Sequence, residues 1–259
     1  MVPEVPRQGG RLRQGGAEAL TQPRIGTAGW AIPRGVAEHF PTEGTGLERY
    51  AARFDCAEIN STFYRSHRPG TLARWAASVP EHFRFAVKAP KAITHERRLV
   101  GAEALLARFL HETAELGEKR GPVLVQLPPS LAFDAEVARG FFRTLRGLHD
   151  GGVACEPRHA SWFDPEADTL LRELEVARVA ADPAKVWAAA EPGGWTGLRY
   201  WRLHGSPRMY YSAYDEAYLE TLARTLAASE APAWCVFDNT TSGAAAANAL
   251  ALRERLTAR

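Results

Sequence analysis

Eight short apolar runs of strand-forming residues recur along this chain, and helix-like stretches separate them. Such alternation of strand and helix signals is typical of parallel sheets in α/β proteins. The predicted strands cover Ile25–Trp30, Ala57–Phe63, Arg84–Lys88, Val123–Leu127, Val153–Glu156, Arg178–Ala181, Tyr200–His204 and Trp234–Asp238. Eight strands within residues 24–259 predict a single (β/α)8 TIM-type barrel. The alternative is a doubly wound open sheet, but the residues after Trp30 lack a glycine-rich phosphate-binding turn.

Amphipathic stretches between the strands predict the helices. Apolar residues from Leu105 to Leu116 and from Val137 to Leu148 recur at helical spacing. Asp134 and Asp164 stand where N-caps are expected. The stretch 182–197 contains Pro and Gly pairs, so the sixth connection is predicted to be irregular.

The first 23 residues have a different composition. They repeat RQGG and contain few large apolar residues, which predicts a flexible N-terminal tail ahead of the barrel.

Composition and charge exclude several classes of protein. The apolar fraction is 46%, and a net charge of +2 without a basic block gives no support to a nucleic-acid surface. No apolar run is long enough to cross a membrane. Three widely spaced cysteines, Cys56, Cys155 and Cys235, lie in apolar runs and are expected to be buried thiols. We therefore expect a soluble protein in the reducing cytoplasm.

Polar residues end several of the predicted strands at alternate positions. Residues two apart in a strand share a face, which groups Glu58 with Asn60, Glu156 with Arg158, and Arg202 with His204. The C-terminal ends of barrel strands meet at one mouth, where TIM-type enzymes carry their active sites. A site is therefore expected at this mouth.

Seven motifs stand in an order that identifies a family. They are IGTAGW, EINSTFYR, FAVKAPKAITH, GPVLVQLPPS, CEPRHASWF, YWRLHG and FDNTTSGAAAANA. From about Arg24 to Leu252 the chain resembles the domain of unknown function 72 family, the YecE-like proteins. The resemblance implies a TIM-type barrel and no settled activity. The family usually has paired asparagines after the last strand, whereas this chain has Asp238 then Asn239, and aromatic residues are missing soon after the GW of the first motif.

Two glutamates and a lysine are the first catalytic candidates. Glu58 and Glu156 are expected to face each other across a wet mouth as general acid and base. The structural alternative for both is an ion pair with Arg158 or Lys88. Lys88 ends a strand before a proline; it can form a Schiff base, bind a phosphate, or neutralise Glu58.

His204 is the best histidine candidate for proton transfer, and His95 and His159 come next. No HExxH or HxH motif occurs, so we predict no metal or other cofactor, with a divalent metal as the open alternative.

The remaining candidates are residues that bind ligands. Arg158 and Arg202 are predicted to bind an anion, and Gln126 to orient the ligand. Asn60, Asn239, Tyr64, Trp30 and Trp162 complete the predicted lining, although aromatic residues at a mouth also serve as packing.

The favoured function is an enzyme that performs acid/base chemistry, as a hydrolase or a lyase/isomerase, on a small polar or anionic substrate. One alternative is a barrel that binds or processes nucleic acid or another phosphodiester; the other is a binding protein without turnover. These alternatives differ in charge around the mouth and in the salt dependence of binding.

Overall fold

Ten short strands form one sheet in residues 22–68 and 70–258, the residues described by a computed structural model. They are β1 (Arg24–Ala28), β2 (Cys56–Ile59), β3 (Arg84–Lys88), β4 (Arg120–Gln126), β5 (Val153–Glu156), β6 (Val176–Arg178), β7 (Ala180–Asp182), β8 (Gly193–Gly194), β9 (Arg199–Leu203) and β10 (Ala233–Phe237). Their order is β7-β9-β10-β1-β2-β3-β4-β5-β6-β8. All pairs are parallel except β6 with β8.

The two ends of this sheet meet, so the sheet is a barrel. β6 pairs with β5 and β7 pairs with β9, and a single residue, Val179, separates β6 from β7. Together β6 and β7 fill the sixth of eight strand positions. The predicted TIM-type barrel is confirmed, with a divided sixth strand and the additional β8.

Helices cover the outside of the barrel. They are α1 (Gly46–Ala51), α2 (Thr71–Ala77), α3 (Glu103–Thr113), α4 (Ala135–Leu148), α5 (Pro165–Glu173), α6 (Glu216–Ala227) and α7 (Ala244–Thr257). Between β7 and β9 the described chain has a 3-10 turn, Trp187–Ala190, and β8 in place of an α-helix. The predicted irregular sixth connection is confirmed. Asp134 caps α4 by accepting from Val137 N–H, whereas Asp164 precedes α5 without a side-chain capping bond.

Strand boundaries differ most from the prediction after β2. The predicted strand ran to Phe63, but Asn60–Phe63 form a 3-10 turn. Thr62 stabilises this turn, because its hydroxyl donates to Ile59 O and Lys88 O, both at 2.7 Å. Asn60 therefore does not continue the inward alternation of Cys56 and Glu58.

The barrel encloses an apolar layer beneath the strand ends. Small residues face inward on several strands, among them Cys56, Ala86 and Ala154, and leave room for two stacked rings, Tyr200 and Trp234. Gly26 is required for close approach, since a Cβ there would lie 2.0 Å from Cys56 O. The layer ends where the inward positions become charged.

Of the predicted tail, all but Gln22 and Pro23 lie outside the described residues. The helices within residues 22–68 and 70–258 are too short or too polar to span a bilayer. The three cysteines are buried and unpaired, and their predicted burial is confirmed.

His149, at the opposite end of the barrel from the site, should make stability depend on pH. It is 5% exposed between α4 and β5, and burial and the charge of Arg120 lower its pKa to about 4. The unfolded pKa is about 6.5. Between about pH 6.5 and pH 4 the unfolded chain binds a proton on this histidine that the native state does not bind. The free energy of unfolding therefore falls as pH falls from about 6.5 to about 4. We expect a loss on the order of 1 to 2 kcal/mol between pH 7 and pH 4.

Urea unfolding from pH 7 to pH 4 measures this effect. His149→Gln should flatten the pH slope in this window, while His111→Gln, at an exposed position of α3, should leave it unchanged. Equal slopes for wild type and His149→Gln would disprove the assignment.

Candidate functional site

Arg202 lies at the centre of the polar groups at the strand ends. It is 0% exposed, and its Nε and Nη2 donate to the two oxygens of Glu58 at 2.9 and 2.7 Å. Nη1 donates to Glu156 Oε2 at 2.6 Å, and Nη2 also donates to Asp238 Oδ2 at 3.1 Å. A planar guanidinium matches such paired acceptors. One side chain thus joins carboxylates from β2, β5 and the end of β10.

Strand alternation explains why these groups meet. Tyr200 and Arg202 lie at alternate positions of β9, and His204, which directly follows the strand, continues the same spacing, so all three share the inward face. Tyr200 donates from its hydroxyl to Glu58 Oε2 at 3.1 Å, one layer below the arginine. The predicted grouping of Arg202 with His204 is therefore what the structure shows.

His204 forms the second part of the cluster. It is 0% exposed; its Nδ1 lies 3.0 Å from Asp238 Oδ2 and its Nε2 lies 3.0 Å from Glu156 Oε1. Arg158 Nη2 lies 2.9 Å from the same Nε2 and 2.5 Å from Glu156 Oε1. With the ring proton on Nδ1, that nitrogen donates to Asp238, and Nε2 accepts from Arg158. A second proton on Nε2 would donate to Glu156 and face the N–H of Arg158.

The carboxylates of this cluster are held in their ionised form. Burial raises the pKa of Glu156, but Arg202, Arg158 and His204 outweigh burial and hold it well below its usual range. Burial also opposes ionisation of Asp238, and Arg202 and His204 nonetheless lower its pKa. The same ion pairs raise the pKa of Arg202 against the effect of its own burial. An ionised carboxylate donates no proton, so Glu156 does not fit the predicted general acid.

The expected pair of glutamates flanking a wet mouth is therefore corrected. Glu58 and Glu156 are both 0% exposed and bind the same guanidinium. Glu156 contacts Arg202, Arg158 and His204. Both oxygens of Glu58 accept hydrogen bonds from Arg202. This arrangement favours a structural and electrostatic role for the two carboxylates. The partner of Glu58 is Arg202 rather than Arg158 or Lys88.

Lys88 ends β3 at the edge of the cluster and differs from the other charges. It is 7% exposed, and its Nζ lies 4.3 Å from the ring centroid of Phe63. Within the described chain no carboxylate lies within 4 Å of this ammonium group, and no hydrogen bond to it is found. Burial and the positive charge of Arg202 lower its pKa, more than Glu58, Glu156 and Asp238 raise it. The expected ion pair with Glu58 does not form.

Four further candidates lie around these groups. Gln126 ends β4 beside Glu156 in the register, is partly exposed, and makes no side-chain hydrogen bond to a described residue. Asn60 has a buried side-chain oxygen without a partner among the described residues. His95 packs edge-on against Phe63 at 5.0 Å, and burial and Lys88 lower its pKa. His159 uses Nδ1 to cap the 3-10 turn Ala160–Phe163.

Four other candidates lie outside the cluster and have different contacts. Trp30 packs against Trp75 of α2, and Trp162, 1% exposed, donates to Leu131 O within the outer core. Asn239 points away from the barrel, and its Nδ2 donates to Ser212 O. Tyr64 is 72% exposed at the end of its 3-10 turn. The first three serve as packing or loop-holding contacts in the described chain.

Asp238, Tyr200 and Tyr210 are site residues that the sequence reasoning missed. Asp238 follows Trp234 and Val236 at alternate positions, so strand periodicity indicates its inward direction. Tyr200 follows the same rule relative to Arg202. Tyr210 carries no such signal: it lies in the 205–214 loop with φ of 68°, and its ring packs edge-on over His204 at 5.7 Å.

The 205–214 loop covers the cluster because other groups fix its course. Gly205 has φ of 91°, and a Cβ there would lie 2.7 Å from Ser212 O. Its N–H donates to Tyr214 Oη at 2.8 Å, and Tyr214 donates to Asp182 Oδ1. Tyr210 O accepts from Thr241 N–H. The loop thereby closes the top of His204 from solvent.

No three His, Cys, Asp or Glu side chains within residues 22–68 and 70–258 are arranged to hold a metal ion. In the cluster, guanidinium groups already occupy the oxygens of Glu58 and Glu156.

Comparisons with known proteins place the chain in one family. The model of the family described as "Protein of unknown function DUF72" matches residues 24–259. UPF0759 protein YecE of Escherichia coli K12 is 33% identical over 171 residues, which are 64% of this chain and 61% of that protein. UPF0759 protein YunF of Bacillus subtilis is 26% identical over 54% of this chain and 52% of its own length. The chain thus spans less than two thirds of each of these relatives.

Two solved structures share the fold. A DUF72 family protein from Enterococcus faecalis has a TM-score of 0.76 and 21% identity, over 90% of this chain and 95% of that one. A DUF72 family protein from Thermotoga maritima has a TM-score of 0.75 and 24% identity, over 92% of this chain and 100% of that one. With the barrel, its strand-end motifs and the family match over residues 24–259, the chain belongs to the DUF72 family.

Proposed function

We propose that this chain is an enzyme that performs acid/base chemistry on a small anionic substrate bound above Lys88 and Arg158. The observation that carries this proposal is a pair of cationic side chains, Lys88 and Arg158, that keep 7% and 9% exposure at the edge of a buried charge cluster. Lys88 has no ion pair within the described residues, and Arg158 Nε is buried without a hydrogen-bond partner there.

Exposure defines which groups a ligand can reach. Glu58, Glu156, Arg202 and His204 are 0% exposed, whereas Lys88, Arg158 and Asp238 each keep 7 to 9%. Gln126 and Asn60 are partly exposed and retain unused amide groups. A ligand at the mouth therefore meets two cations and two amides, which together suit a carboxylate or phosphate.

Charge balance supports the same ligand class. Two guanidiniums and one ammonium face three carboxylates, and each carboxylate already binds Arg202. The carboxylates are therefore already ion-paired with Arg202. Lys88 and part of the Arg158 guanidinium are the cationic groups that can bind an incoming anion.

Lys88 is the group best suited to transfer a proton. Burial and the positive charge of Arg202 lower its pKa, which favours the neutral amine that can accept a proton. A lyase or isomerase step that removes a proton next to a carbonyl or carboxylate fits this group. Hydrolysis by two free carboxylates is less well supported, because Glu58 and Glu156 are both ion-paired.

The buried thiols of Cys56, Cys155 and Cys235 support a reducing cytoplasmic setting.

The proposal predicts an anion-induced rise in thermal stability that depends on Lys88. Phosphate, sulfate and small keto and hydroxy acids are titrated while Tm is followed, since a ligand of the native state raises Tm. Lys88→Met should fold, because the substitution removes a buried charge that has no ion pair. It should weaken binding of the anion about tenfold or more. Lys91→Met, at an exposed lysine paired with Glu96, should bind as the wild type does.

Proton transfer is measured on the anions that bind. NMR follows exchange of carbon-bound hydrogen for deuterium, and Lys88→Met should slow it on the order of a hundredfold. Equal Tm shifts in wild type and Lys88→Met, or no shift with any anion, would refute the proposal.

A second candidate function rests on exposed aromatic residues at the same end of the barrel. Tyr64, Trp187 and Tyr211 are 72%, 91% and 41% exposed on connections that leave β2, β7 and β9. The guanidinium of Arg208 lies 3.9 Å from the Tyr211 ring centroid. Stacking rings beside arginines are a feature of single-stranded nucleic-acid binding.

The same titrations with a single-stranded DNA oligonucleotide separate the two candidates. Nucleic-acid binding would weaken steeply with salt and with Trp187→Ala. Binding of a small anion would depend on Lys88 and not on Trp187.

A further inference from the structure

We propose that Lys88 acts as a covalent catalyst, which forms an imine with a small carbonyl compound that carries a carboxylate or phosphate group. This inference rests on the proposed function and names its substrate class. It follows from the surroundings of Lys88 compared with those of the other lysines.

The chain contains four lysines, at positions 88, 91, 119 and 185, and only the first has the surroundings of a nucleophile. Lys91 pairs with Glu96 at 3.2 Å and Lys185 is exposed. Lys119 is as buried as Lys88, at 9% exposure, but its Nζ donates to Pro80 O and Glu81 Oε2. Lys88 combines burial with an ammonium group that no described carboxylate neutralises.

The neighbours of Lys88 favour the neutral amine. The face of the Phe63 ring lies on one side, with its centroid 4.3 Å from Nζ. The positive charge of Arg202 also acts on this ammonium group. A desolvated lysine beside another cationic group is the arrangement that activates an amine as a nucleophile. The lowered pKa of Lys88 agrees with this geometry.

The backbone holds the amine in place. Lys88 O accepts from the Thr62 hydroxyl at 2.7 Å, and Ala89 N–H donates to Leu124 O at 2.8 Å. Both bonds fix the end of β3 against its neighbours, so the side chain leaves a rigid strand rather than a loop.

The substrate class follows from the groups around the amine. A carbonyl carbon must reach Nζ, while an anionic group on the same molecule binds Arg158, whose Nε has no partner among the described residues. Gln126 and Asn60 can bind the remaining polar groups. A keto or aldehyde acid, or its phosphorylated counterpart, meets these requirements.

The bond changes of the step balance without an added oxidant or reductant. The nitrogen lone pair attacks the carbonyl carbon, and a proton moves from nitrogen to oxygen to give a carbinolamine. The carbinolamine hydroxyl then takes a proton from solvent and leaves as water, while the nitrogen lone pair forms the C=N bond of a protonated imine, the iminium. The iminium withdraws electrons from the adjacent C–H bond, which is the proton transfer that the proposed function requires.

Borohydride trapping tests the imine directly. The full chain is incubated with glyoxylate, pyruvate or dihydroxyacetone phosphate and then with sodium borohydride, which delivers hydride to the C=N carbon and leaves a stable secondary amine. Peptide mass spectrometry locates the adduct. We expect labelling of Lys88 on the order of tenfold above that of exposed Lys185 and of buried, ion-paired Lys119. The two acids and the phosphate show which anion the site prefers.

Two variants make the result decisive. Lys88→Arg keeps the positive charge but cannot form an imine, so it should lose the adduct. Lys91→Arg, three residues away, should label as the wild type does. Labelling of Lys88 no stronger than that of Lys119 and Lys185 with all three carbonyl compounds would overturn the imine. If Lys88 is not labelled preferentially but anions still raise Tm in a Lys88-dependent way, the imine is wrong and the proposed function is retained. If neither preferential labelling nor anion binding is found, both proposals are wrong.

Discussion

Replacing Arg202 by methionine should destabilise the protein by about 3 to 5 kcal/mol, the cost of leaving buried charges without their partner. Glu58 and Glu156 are 0% exposed and would lose their direct ion pair with this guanidinium. Methionine fills similar space with an apolar chain, so the loss reports on charge rather than on a cavity.

The effect should depend on pH, and its sign follows from proton binding. Without Arg202 the buried carboxylates lie close together, which raises their pKa in the folded state above the unfolded value. The folded variant then holds protons that the unfolded chain releases, so its stability falls as pH rises above about 4. Urea unfolding at pH 7.5 and at pH 5 should show the variant recovering stability at the lower pH.

Arg178 supplies a matched control. It is buried like Arg202, at 7% exposure against 0%, but its neighbour Asp168 is partly exposed and also binds Arg172. Arg178→Met should therefore cost only about 1 to 2 kcal/mol. Equal losses for the two variants, with no pH recovery in Arg202→Met, would show that the carboxylates do not depend on Arg202.

The strands and their inward faces could be predicted from the sequence because both depend on local periodicity. Arg84–Lys88 and Val153–Glu156 were predicted with the bounds that the structure shows, and Arg202 with His204 were placed on one face. Which strands face each other across the barrel depends on tilt and stagger, which no local pattern encodes. That is why Glu58 was assigned Lys88 or Arg158 as a partner instead of Arg202.

Loop geometry accounts for most of the other differences. Asn60 left the strand pattern because Thr62 bonds Lys88 O and folds the chain into a turn. Trp30 and Trp162 lie near strand ends in sequence, yet their rings turn outward into the helical layer. The burial of His204 depends on Tyr210, whose ring packs against the histidine only because the 205–214 loop closes over the end of β9.

Glu156→Gln should lower the stability of the protein by about 2 to 4 kcal/mol at neutral pH, because the amide cannot accept every bond that the carboxylate accepts. Oε2 accepts from Arg202 at 2.6 Å, and Oε1 lies 2.5 Å from Arg158. In either orientation the new NH2 group faces a guanidinium donor.

The pH dependence provides an independent check on the same residue. Since the folded pKa of Glu156 lies well below the unfolded value of about 4.3, its contribution is complete above that value and is lost as pH falls through the folded pKa. The gap between wild type and Glu156→Gln should therefore be widest near pH 7 and narrow below about pH 4. Urea unfolding at both pH values measures it.

Glu166→Gln is the control, since Glu166 is exposed in the first turn of α5 and its change should stay within about 0.5 kcal/mol. A cost for Glu156→Gln no larger than this, with no dependence on pH, would place Glu156 in solvent and make it available again as an acid or base toward the substrate. A large cost together with unchanged anion binding in the folded variant would show that Glu156 stabilises the fold through its ion pairs with Arg158 and Arg202 and takes no part in binding the anion.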